Sequence, residues 1–120
     1  MFKFRMNEKT WFIREDSQVN IQRMMQERGN EVERGSKWYG LTMPDTHTIT
    51  LDKDLYIDRK RQTLLHELAH CYIVSYICHM DKSYCEEEVA DIVANSIDII
   101  NRIATEYFNK QDKKGGDKKK

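Results

Sequence analysis

Thr63-Leu64-Leu65-His66-Glu67-Leu68-Ala69-His70 is the stretch on which the reading of this chain turns. It holds His-Glu-x-x-His inside a run with helical patterning. Residues four apart lie on one helix face, one turn from each other. Both imidazoles therefore reach toward one point, and a single Zn²⁺ accepts such nitrogens at about 2.0–2.1 Å. Glu67, next to the first histidine, is placed to take a proton from a metal-activated water. The helix carrying the motif starts near Asp54 or Asp58 and runs to about His79. Leu64, Leu65, Leu68, Ala69, Tyr72, Ile73, Val74 and Ile77 spread around its wheel. A helix apolar on most sides belongs in the middle of a fold.

The chain on either side frames this helix. Before it, Trp38-Tyr39-Gly40-Leu41-Thr42-Met43 and His47-Thr48-Ile49-Thr50-Leu51 flank Pro44-Asp45, a pair suited to the centre of a turn. Ile49 and Leu51 alternate with threonines, so the stretch reads as a hairpin. After it, Ser83 and Glu86 have the spacing of a capping box. The helix they open places Val89, Ile92, Val93, Ser96, Ile97, Ile100, Ile103, Ala104 and Tyr107 on one stripe, ending near Phe108. At the N-terminus, residues 2–6 and 10–14 read as a hairpin about Asn7-Glu8-Lys9. A helix capped by Asp16 or Ser17 follows to about Arg28, where Gly29 stops it. Met24 and Met25 on that helix are expected in the core.

The expected fold is one α+β domain over residues 1–108. It has a small antiparallel sheet of three or four strands, a pair of helices that build the metal site, and one N-terminal helix. Residues 109–120 carry six lysines against two aspartates, a net +4 in a chain of net charge zero. They are expected as a disordered, lysine-rich tail. The remaining body, at −4, argues against direct nucleic-acid binding by the fold. No apolar run reaches membrane-span length, and no apolar segment follows the first basic residues, so the expected location is cytoplasmic. Cys71, Cys78 and Cys85 are odd in number and lack Cys-x-x-Cys spacing. They are expected as reduced thiols, Cys71 and Cys78 as packing residues.

A catalytic zinc needs a third protein ligand and one open position. The best source is Glu86-Glu87-Glu88-Val89-Ala90-Asp91. Glu87 and Asp91 share a face. Glu87 is the favoured third ligand, with Glu88 the alternative, and Asp91 would accept the far N–H of a liganding histidine. Small Ala90 and Ala94 would let that face approach the histidine helix closely. His47, His79 and Tyr84 are candidate donors to an oxyanion.

His66-Glu67-Leu68-Ala69-His70 followed by Glu87-Glu88-Val89-Ala90-Asp91 resembles a gluzincin metallopeptidase. More narrowly it is similar to the ImmA/IrrE family of phages and mobile elements, whose Glu-x-x-Ala-Asn/Asp-x-x-Ala pattern Glu87 through Ala94 match. The resemblance covers about residues 38–97. Ala69 stands where the family has glycine, and Ser96-Ile97-Asp98-Ile99-Ile100 replaces a leucine-rich, proline-ended stretch. It implies a zinc metalloendopeptidase held by His66, His70 and Glu87, with Glu67 as base. The implied substrate is a protein or peptide such as a transcriptional repressor, lying extended along an edge strand of residues 38–52. Two rivals stand beside this reading. One is a non-catalytic, zinc-stabilised protein-interaction module. The other is a SprT-like protease acting on DNA-bound proteins, for which a third histidine and a basic groove are expected.

Overall fold

A computed structural model of the chain describes residues 1–29, 37–77 and 83–119, with side chains described to residue 111. Alternation builds its first element pair. Strands β1 (Phe2–Met6) and β2 (Lys9–Asp16) bury Phe4, Met6, Trp11 and Ile13, every second residue, on one face. Asn7 and Glu8 both take positive φ, 49° and 65°, which suits the tight two-residue hairpin joining them. Helix α1 (Gln18–Glu27) follows, its first turn capped by Ser17, which accepts from the Asn20 N–H. Gly29 closes it at φ 84°. Strand β3 (Gly40–Met43), a single 3₁₀ turn at Pro44–Thr46 and strand β4 (Thr48–Asp52) form the second hairpin.

The sheet has four strands in the order β1-β2-β4-β3. The two hairpins are antiparallel, as expected, but they join through β2 and β4 in parallel, with Ile13 opposite Ile49. The sheet is therefore mixed. The connection through α1 returns the chain to the far edge, so β4 becomes the inner strand and β3 the outer one. Ile49 and Leu51 point to the same side as Trp11 and Ile13. Thr50 and Arg14 point to the other, where Arg14 Nε donates to Thr50 Oγ1 at 3.1 Å and a guanidinium nitrogen meets Met24 Sδ of α1. There α1 buries Ile21 and Met25, while Met24, expected in the core with Met25, is only half-buried.

Helix α2 (Ile57–Tyr72) and helix α3 (Glu86–Lys119) cover the first face. Leu64, Leu68 and Cys71 of α2 meet Ile100, Ile103, Ala104, Tyr107 and Phe108 of α3 over that face. Each Leu, Ile or Phe side chain contributes about 1.5–3 kcal/mol when fully buried. One polar tie crosses the layers. Glu15 of β2 accepts from Lys60 Nζ of α2 at 2.7 Å and from the Tyr107 hydroxyl of α3.

Three local expectations differ from the structure. The α-helical turns of α2 give way to a π-turn at Ile73–Ile77, and residues beyond it lie outside the described part until 83. Helix α3 starts at Glu86 rather than after Ser83: the Cys85 carbonyl accepts the Val89 N–H, and the Cys85 thiol meets Glu88 Oε1 at 3.3 Å. The cap thus falls two residues later than the Ser83–Glu86 spacing suggested. The stretch 109–119, expected as a disordered tail, continues α3. Lysine is a good helix former, and extending an anchored helix avoids the cost of nucleation.

Candidate metal centre

The site forms where α2 passes the edge strand β3. Thr63, His66, Glu67 and His70 project from one side of α2 toward Gly40 and Thr42. Gly40 permits the approach. A Cβ there would stand 2.8 Å from Thr63 Cγ2 and 3.1 Å from Glu67 Cγ. A glycine inside a strand is itself a sign of close backbone approach, and this was the available sequence signal for Gly40.

Glu67 is buried, and Thr42 Oγ1 donates to its Oε1 at 2.8 Å. A buried carboxylate without such a donor would be costly. The hydroxyl therefore sets the carboxylate's direction and leaves Oε2 free, 3.9 Å from His66 Nε2. The two histidine rings lie edge to face, and their Nε2 atoms are 3.2 Å apart. Two nitrogens on one tetrahedral Zn²⁺ stand about 3.3 Å apart. The pair therefore fits the ion in both donor type and spacing. The His66 side chain is 69% exposed, so the pair opens to solvent. Cys71, one residue beyond His70, is fully buried in the core. Burial pushes its thiol well up, with the Glu67 charge adding to the effect, so it stays protonated and packs as expected.

A groove of about 560 Å³ runs along this face, bounded by β3 and the residues before it and by the Arg59–His70 side of α2. Its aromatic wall is Trp38 and Tyr39, with the Arg59 guanidinium 5.3 Å above the Tyr39 ring. Thr42, Tyr39 and Arg59 were not singled out in the sequence. Nothing local marks them, because their roles come from the approach of β3 to α2.

Of the other expected site residues, those that are described do not line this groove. Glu87 and Asp91 are exposed on the first turns of α3, as are Ala90 and Ala94. Among the described residues, no group of three His, Cys, Asp or Glu side chains is arranged to hold a metal ion. His47 ends the 3₁₀ turn at φ 51° and packs its ring on Trp11, centroids 4.7 Å apart. Tyr84 is half-buried just ahead of α3 and does not line the groove. His79 and Cys78 lie outside the described residues. Among the described residues no helix is long and apolar enough to cross a membrane. No protein-family model, curated protein or solved structure matches the chain.

Proposed function

We propose that the chain is a zinc-dependent endopeptidase of the ImmA/IrrE-like, gluzincin type, acting in the cytoplasm on an extended segment of a regulatory protein such as a repressor. One observation carries the reading: the His66 and His70 Nε2 atoms, 3.2 Å apart, beside a buried glutamate at the mouth of a groove. His66 and His70 would hold the ion, with Glu87 the proposed third ligand. When bound, Zn²⁺ supplies Lewis acidity that eases deprotonation of water and polarises a carbonyl. Glu67 Oε2 takes the proton as water attacks and hands it to the leaving amine. The Thr42 hydroxyl on Oε1 holds the carboxylate for both transfers. Among the described residues β3 is an edge strand with no partner on its outer side, and an extended peptide can add a strand there.

The test joins metal analysis with cleavage of a proteome-derived peptide mixture read by mass spectrometry. Wild type should carry zinc, H66A/H70A should lose it, and E67Q should keep it while cleaving nothing. Cleavage by E67Q at the wild-type rate would sink the mechanism.

The exposed position of Glu87 and Asp91 favours a second reading, a zinc-stabilised interaction module without catalysis. Its mark is zinc content that depends on His66 and His70, with no cleavage by wild type.

A further inference from the structure

We infer that the groove selects a peptide with an acidic side chain about three residues C-terminal to the bond presented at Glu67, and that Arg59 reads it. The inference rests on the peptidase reading for the word "bond", but the recognition itself needs no hydrolysis. Arg59 and Lys37 line the same groove as the histidines. Neither has a carboxylate partner among the described residues. The groove's own carboxylate, Glu67, is buried and hydrogen-bonded to Thr42. The chain outside residues 109–120 is net acidic by four charges, so among the described residues Lys37 and Arg59 form a local cationic entrance on an acidic body. An anionic ligand group complements it.

The geometry gives the position. Arg59 precedes His66 by two helical turns, about 10 Å along α2. An extended chain covers that distance in about three residues. The chain runs beside α2 from Tyr39, just before β3 and under the Arg59 guanidinium, to Thr42 of β3, which bonds Glu67. A peptide on the open edge of β3 pairs better antiparallel than parallel. It then runs from the histidine end toward Arg59, which puts the acidic residue after the bond. The Tyr39 ring under Arg59 keeps the guanidinium at the wall, with its edge available to a carboxylate. A nucleic acid would also present anions. The edge position of β3, and two cations that have no carboxylate partner among the described residues, favour a peptide.

The experiment measures fluorescence anisotropy with the full chain carrying E67Q and added zinc. The probes are fluorescein-labelled extended Ala/Val peptides with one central Glu or one central Lys, and a labelled oligo(dT). The Glu peptide should bind about tenfold tighter than the Lys peptide, and R59E should abolish or reverse that preference. K37E serves as a second variant and should narrow the preference. Circular dichroism confirms that each variant is folded. Equal binding of the two peptides, an unchanged preference in R59E, or oligo(dT) binding as tight as the Glu peptide would overturn the inference. In the cleavage assay, wild-type cuts should show Asp or Glu enriched about three residues beyond the bond, and cuts without that enrichment would overturn it too. If the peptide preference holds while wild type cleaves nothing, the peptidase reading fails and the acidic-peptide site stands.

Discussion

At Gly40 the outer strand lies so near the histidine helix that one methyl group decides the packing. Gly40→Ala places its Cβ within 2.8 Å of Thr63 Cγ2. Overpacking of this kind costs about 1–3 kcal/mol, and urea denaturation should show a loss in that range. Adding Thr63→Ser removes the clashing methyl and should recover part of it. Thr42 is the second such residue. Thr42→Val takes away the hydroxyl that donates to Glu67 Oε1 and should cost about 1–3 kcal/mol, while Thr42→Ser should stay near wild type. On the peptidase reading, activity follows the same order. The His66, Glu67 and His70 spacing was legible because helix periodicity is local. The partners of Glu67 were not, because Thr42 lies 25 positions away in sequence.

Among the elements, α3 departs most from its sequence pattern. The sequence places residues from Val89 to Tyr107 on one stripe, yet Val89, Val93 and Ile97 are 46%, 53% and 49% exposed. Ser96 is buried, and the buried apolar residues run from Ile100 to Phe108. A 34-residue helix is about 51 Å long, more than the sheet and α2 can cover. Periodicity states which face is apolar, not how much of it finds a partner. The same overhang leaves Glu87 exposed. If Glu87 is nevertheless the third ligand, Glu87→Ala should lower zinc affinity at least about tenfold, as read by competition with a chromogenic chelator. Unchanged affinity would remove it from the ligand set. At the entry to α1, Asp16 is held below its ordinary 3.8, chiefly by the Asn20 amide and then by the Ser17 N–H. A lowered carboxylate stabilises the fold above its unfolded value, and that contribution is lost as pH falls through the folded one. Thermal melts of Asp16→Asn should therefore show lower stability near neutral pH and a flatter decline below about pH 4.

For the whole molecule, the layers explain what can be removed. Tyr107 and Phe108 are the last buried residues of α3 in the hydrophobic core. Deleting residues 109–120 removes no member of that cluster. It should leave the melting temperature within about 4 °C of wild type, the equivalent of less than about 1 kcal/mol. It also shifts the net charge from zero to −4, which ion-exchange retention would confirm. Tyr107→Phe is expected to cost more than the whole deletion, about 1 kcal/mol or above, because it unties Glu15 from α3. The sequence by itself determined the α+β class, both hairpins, three helices and a histidine pair with a glutamate beside it. All of these follow from periods of 2 and 3.6 and from turn and cap residues, which act within a few positions. The tertiary structure alone decided the parallel union of β2 with β4, the place of β3 at the edge, the contact of Gly40 and Thr42 with Glu67, and the exposed start of α3. Those depend on which faces meet across long separations in the chain, and local spacing carries no record of that choice.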